Sequence, residues 1–188
     1  MSPTYLLRDS QITAALNNIL TNSSFINSSA TFTKSNAHKF AMIGVEKGVE
    51  FNETISISNE IIEQHDTFTF KFNIPGVYRI DYRLTMFIHE NNAVQDLHIR
   101  PSVSDTLTDT DEFLNYSDFG IITTRKLVQT SSNVDKVSDH AVDSIYDSCV
   151  YRYDGNGDIY FKLLAWGPTT QQSYIESGAT LIFTYLSS

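Results

Sequence analysis

Cysteine is almost missing from this chain: Cys149 is the only one in 188 residues. An intramolecular disulfide cannot form, and a zinc cluster built on thiolates is excluded. Basic residues are also few, 13 Lys and Arg against 22 Asp and Glu, which leaves a net charge of −9. Such a surface repels phosphate backbones, so direct nucleic-acid binding is not expected. No apolar run approaches the roughly 20 residues of a membrane span. The N-terminus shows no basic-then-apolar leader, so synthesis and folding in a reducing compartment are expected. Charged residues of both signs amount to only 19%; Ser, Thr and Asn must supply much of the polar surface. There is no Gly-x-Ser-x-Gly elbow and no phosphate-cradling glycine loop. A repeat of fixed period is absent too, which disfavours a propeller or solenoid.

What is abundant is aromatic: 12 Phe and 10 Tyr, residues that suit a pleated, half-buried surface. The rest of the chain is organised around the stretch from Thr67 to Ile88. Phe68, Phe70 and Phe72 alternate with Thr67, Thr69 and Lys71, the period of a strand with one buried face. Pro75-Gly76 interrupts the ladder, because proline lacks a donor and glycine tolerates a positive φ. Beyond it Tyr78, Ile80, Tyr82, Leu84, Met86 and Ile88 share one face, and Arg79, Asp81, Arg83 and Thr85 the other. This long strand suits a sandwich whose two sheets bury their inner faces against each other.

The remaining pattern is punctuated the same way. A short apolar strand is predicted from Phe40 to Val45, a half-buried strand over Thr54–Ser58, and another from Val94 to Arg100 stopped by Pro101. Further strands are predicted around Ile121–Thr124, over Ile145–Tyr153, over Ile159–Trp166 and over Ala179–Leu186, with Asp154–Asp158 as a tight hairpin turn. The expected class is all-β, a sandwich or barrel with almost no helix. Residues 1–36 read as an N-terminal arm and linker, and 37–188 as the β domain. Within the arm, Ile12, Leu16 and Ile19 fall on one face of a short helix capped at Asp9 or Ser10. That helix either packs on its own sandwich or docks on a neighbouring subunit.

Candidate chemistry is thin. Asp154, Asn156 and Asp158 begin like an EF-hand loop, but Ile159 and Ala165 stand where glycine and glutamate are needed. Asp109, Asp111 and Glu112 read as a solvated loop. The five histidines are scattered, with His89 and His98 predicted to face each other across a hairpin near Asn91-Asn92. Cys149 and His140 lack an activating feature, and a buried structural thiol is the expected state. No catalytic residue, metal or cofactor is assigned. The last two strands carry the stronger signal. Tyr160, Leu164 and Trp166 lie opposite the core-facing residues of one, and Ile182 and Leu186 opposite those of the other. Strands apolar on both faces need a second partner, so these five, with Ile12, Leu16 and Ile19 of the arm, are the expected subunit contacts.

The segment Phe70-Lys71-Phe72-Asn73-Ile74-Pro75-Gly76-Val77-Tyr78 resembles the Phe-x-x-x-x-Pro-Gly-x-Tyr corner of jelly rolls of the tumour-necrosis-factor and complement-globular-head type. Gly157-Asp158-Ile159-Tyr160-Phe161-Lys162-Leu163 is similar to the Gly-Asp-x-Val/Ile-x-Leu strand of the same family. The resemblance spans residues 38–186 and implies a jelly-roll β-sandwich of about eight to ten antiparallel strands. In architecture, length and missing leader the chain is also similar to the single jelly-roll pentons at the capsid vertices of large DNA viruses. That similarity implies a structural subunit of the virion. It would assemble in the host cytoplasm as a homo-oligomeric ring, a pentamer, beside neighbouring capsid proteins. The alternative is a trimeric binding module recognising a receptor or glycan through residues 101–118 and 129–143.

Overall fold

The computed structural model describes residues 28–35, 38–40, 46–56, 60–88, 94–107, 117–118, 123–128, 141–166, 173–175 and 177–188. These residues form two antiparallel sheets of seven strands each and contain no helix. The predicted arm helix, with Ile12, Leu16 and Ile19, lies outside them. The first sheet runs β2 (His38–Phe40), β13 (Ser173–Ile175), β7 (Gly76–Ile88), β14 (Thr180–Ser187), β1 (Ser29–Thr33), β4 (Glu53–Ser56); β11 (Ala141–Tyr153) pairs with the opposite edge of β7. The second runs β10 (Thr123–Val128), β8 (Val94–Ser104), β12 (Tyr160–Trp166), β6 (Phe70–Phe72), β5 (Ile62–Gln64). Two short strands join it, β3 (Lys47–Gly48) on β12 and β9 (Ser117–Asp118) on β8. The all-β sandwich expected from the alternation is what forms.

Its core is the set of inward positions that the period of two selects. Tyr78, Ile80, Tyr82 and Leu84 of β7 are buried, while Arg79 and Arg83 between them are exposed. Phe32 and Phe183 from the first sheet meet Phe70, Phe72 and Phe161 from the second. The chain passes repeatedly from one sheet to the other, and two of these connections form corners that pack on each other. One is the Pro75-Gly76 corner between β6 and β7. There Tyr78 donates its phenolic hydrogen to the Ile74 carbonyl at 2.6 Å, with the Ile61 carbonyl 3.0 Å away as a second acceptor. Tyr185 donates to the Pro75 carbonyl at 3.1 Å. The corner motif thus carries its own clamp: the tyrosine two residues past the glycine reaches back over the proline. Burial drives the Tyr78 phenol well above its ordinary pKa, so it stays a donor.

The other of this pair is the segment 154–159, which departs from the predicted hairpin. β11 pairs with β7 and β12 with β8, so these two strands lie in different sheets and the turn is a corner. Asp154 Oδ1 accepts the Asn156 amide at 2.9 Å, and Gly155 and Gly157 take φ of 83° and 80°. A Cβ on Gly155 would stand 2.6 Å from Pro75 Cγ, so the two corners pack on each other. The predicted β7–β8 hairpin fails for the same reason, since β7 and β8 also belong to opposite sheets; His89 lies outside the described residues.

Four further expectations need correction. Ser29–Thr33, assigned to the linker, is β1, inserted between β14 and β4 with Ala30 and Phe32 fully buried. A single large apolar residue gave too little periodicity to mark it. The strand predicted over Thr54–Ser58 is exposed throughout its described part, because β4 is the outermost strand of its sheet. Strand β6 begins at Phe70, not Thr67: Asp66 Oδ1 accepts the amides of Phe68 and Thr69, both at 2.7 Å, and turns the chain there. Pro101 does not stop β8. It pairs with Leu163, whose carbonyl is taken by Val49 on the other side of β12 at 2.7 Å. On its own outer side Pro101 sits between the last pair with β10, at Ile99, and the first with β9, at Ser102. The donor that proline lacks is therefore not required of it.

Candidate functional site

The candidate groups among the described residues have structural roles. Cys149 points inward from β11 and is partly buried. Burial, with the Asp147 and Asp81 carboxylates as lesser causes, pushes its thiol from 9.0 up to about 12. Thiol reactivity follows the thiolate, so at pH 8 the folded protein should alkylate with iodoacetamide about a thousandfold more slowly than the unfolded chain. The sign is fixed: the folded state holds the proton between about pH 9 and 12, and the unfolded state gives it up. Equal labelling rates with and without denaturant would disprove this. Asp158 is paired with Lys71 at 2.8 Å, which holds its carboxyl below the usual range. Asp154 is likewise lowered, by its hydrogen bonds from Asn156. Among the described residues no group of three His, Cys, Asp or Glu side chains is placed to hold a metal ion. Asp109, Asp111, Glu112 and His140 lie outside those residues.

The predicted contact residues do not form one surface. Tyr160, Leu164 and Trp166 are on β12 in the second sheet; Ile182 and Leu186 are on β14 in the first. The chain changes sheet between β12 and β13, so the outward sides of β12 and β14 do not share a surface. Leu164 is only 1% exposed, so its own chain covers it and it is not a contact residue of the free subunit. Tyr160 is half-buried, its ring edge-on to His65 at 6.2 Å and its hydroxyl 3.4 Å from Asp158 Oδ2. Trp166 is half-buried too. His98 stacks on it at 4.9 Å and 20°, and the Arg100 guanidinium stands 5.5 Å from the ring while bonding Glu46. Ile182 faces outward from the middle of the first sheet, half-buried, and Leu186 is exposed near the chain end.

A different set of residues shares one sheet. Among the described residues the exposed large hydrophobic side chains are Ile55, Tyr146, Val150 and Leu186, and all four belong to the first sheet. Tyr146 and Val150 share the outward side of β11 and are 64% and 63% exposed. Strand pairing sets Tyr146 beside Arg83 and Val150 beside Arg79. Arg79 donates through Nε and Nη2 to Asp81 Oδ1 at 2.9 and 2.8 Å, which leaves Asp81 nearly buried on an otherwise open face. Threonines of β14 and β1 continue the face, with Ile182 among them: Thr180, Thr184, Thr31 and Thr33. The face carries exposed apolar side chains along β11, the charged residues Arg79, Asp81 and Arg83 on β7, and threonines with Ile182 on β14 and β1. Its sequence signal was the weak alternation of Ile145–Tyr153, weak because β11 carries apolar residues on both sides.

No family model matches the chain, and no curated protein matches it. Among solved structures, murine APRIL superimposes with a TM-score of 0.53, covering 85% of this chain and 99% of its own at 13% identity. The Eiger TNF of S. frugiperda gives 0.52 over 87% of this chain and 94% of its own, at 9% identity. The fold is a tumour-necrosis-factor-like jelly roll. At these identities the likeness is one of architecture. The jelly roll brings β7, β11 and β14 together as one broad face and sends β12 to the other layer. No helix among the described residues is long and apolar enough to cross a membrane.

Proposed function

We propose that this protein is a homo-oligomeric, non-enzymatic binding module. In this reading three jelly rolls associate through the outward face of the first sheet, leaving the segments between β8 and β9 and between β10 and β11 to recognise a receptor or glycan. The observation that carries it is the one-sidedness of the exposed apolar residues. Tyr146, Val150, Ile55 and Leu186 all sit on the first sheet, spread from β11 to β4, and exposed apolar residues confined to one side of a sandwich favour a contact there. The tumour-necrosis-factor-like fold supports the trimeric arrangement over the penton ring. A vertex ring of five, in a virion and beside other capsid proteins, would use the same rigid sandwich and differs in symmetry.

Native mass spectrometry and sedimentation velocity separate the two. Multiples of three are expected. Multiples of five would favour the capsid ring, and a monomer persisting at high concentration would overturn both. Within a trimer, Tyr146→Ser is expected to weaken association by about tenfold or more, as loss of an interface aromatic does, while leaving the subunit folded.

A further inference from the structure

The first sheet is electrically lopsided. Strand register carries one transverse row from Tyr146 on β11 through Arg83, Thr180 and Thr33 to Glu53 on β4. Residues directly opposite in a ladder share a face, so Arg83 and Glu53 look out the same way from opposite flanks. Three inter-strand steps separate them, about 14 Å at the usual spacing, more than a Debye length of about 8 Å at physiological salt. The two charges therefore do not neutralise each other. Both are exposed, and among the described residues neither has an ion-pair partner, whereas Arg79 is already matched by Asp81. Each flank also has its own apolar residues: Tyr146 beside Arg83 with Val150 four residues along β11, and Ile55, 65% exposed, two residues from Glu53. The acidic flank extends onto the adjoining edge of the second sheet, where Glu60 and Glu63 are exposed and the Thr54 and Gln64 side chains hydrogen-bond at 3.2 Å.

We infer that neighbouring copies meet asymmetrically, the β7–β11 flank with Arg83, Tyr146 and Val150 of one subunit against the β4–β5 edge with Glu53, Ile55 and Glu60 of the next. The inference rests on the self-association proposed above and specifies its geometry. Opposite charges and apolar centres are matched, as in stable interfaces. A contact between two different surfaces, repeated by rotation, closes a ring. This contact would also cover the exposed outer edge of β4, and an open edge strand is otherwise a template for unwanted pairing.

Charge reversal tests it on the full chain. Arg83→Glu and Glu53→Arg are each expected to raise the dissociation constant of the oligomer about tenfold or more, and the double variant to return within about threefold of the parent. Circular dichroism and thermal unfolding of each variant check that the subunit remains folded; both sites are exposed, so little change is expected. Association of the parent should weaken between about 0.05 and 0.5 M salt. A double variant that associates no better than the weaker single variant would overturn this contact while leaving self-association intact. A parent chain that stays monomeric would overturn the association itself. Reversals without effect in a stable oligomer would place the interface elsewhere.

Discussion

Phe183→Ala is expected to lower the unfolding free energy by about 3–5 kcal/mol, the range for deleting a buried phenylalanine. Phe183 is the point where the two layers meet. Its ring centroid lies 5.2 Å from Phe161, 5.4 Å from Phe70, 6.1 Å from Phe32 and 6.1 Å from Phe72. Three of these neighbours belong to the second sheet and one to the first. Alanine would forfeit the transfer energy of the ring and leave a cavity that paired strands cannot collapse to fill. Since domains are stable by about 5–15 kcal/mol in all, about a fifth or more of the margin is at stake. Denaturant unfolding measures it directly. A loss below about 1 kcal/mol would mean the two sheets are not joined through this residue.

Gly76→Ala should be comparably severe, for a different reason. Gly76 has a φ of 154°, and a Cβ there would lie 2.5 Å from the Ser187 carbonyl oxygen and 2.7 Å from the Tyr185 hydroxyl. Neither neighbour can easily yield. Ser187 is paired with β7, and Tyr185 is held by the Pro75 carbonyl and by the Tyr78 ring, 5.4 Å away edge-on. Overpacking and backbone strain together are expected to cost about 3 kcal/mol or more. Gly157 supplies the control. It also has a positive φ, 80°, but a Cβ there meets nothing within 4 Å. Gly157→Ala should therefore show only the conformational penalty, about 1–2 kcal/mol. Equal losses at the two glycines would refute the collision at the corner.

The same corner shows how much of the fold could be read beforehand. Phe70, Phe72, Tyr78, Ile80, Tyr82 and Leu84 alternate in the sequence and are buried in the structure, because a strand's period is local and needs no knowledge of its partner. Pro75-Gly76 was legible as a bend for the same reason. The pairing of β12 and β14 was not legible. Each was correctly seen as apolar on both sides, but which strand lies beside which depends on corners that carry the chain from one layer to the other. The segment 154–159 has the composition of a two-residue hairpin and makes a crossing instead. Strand β1 was missed because Ser29, Ala30, Thr31 and Thr33 give a weak pattern by themselves; its place between β14 and β4 is set by long-range pairing.

The candidate contact surface divides likewise. Ile182 and Leu186 were identifiable from β14, and they do lie on the first sheet. Tyr160 and Trp166 were placed with them, although they belong to the opposite layer, and Leu164 is covered by its own chain. Tyr146 and Val150 emerged only once β11 was seen beside β7. The amino-acid sequence alone determined the strand periods, the Pro-Gly corner, the all-β class and the acidic balance, since each depends on residues adjacent in the chain or on their sum. Tertiary structure alone decided which apolar faces share a surface and that Arg83 and Glu53 stand at opposite flanks of one sheet. Those relations are fixed by pairing between segments far apart in the chain, where no local pattern reaches.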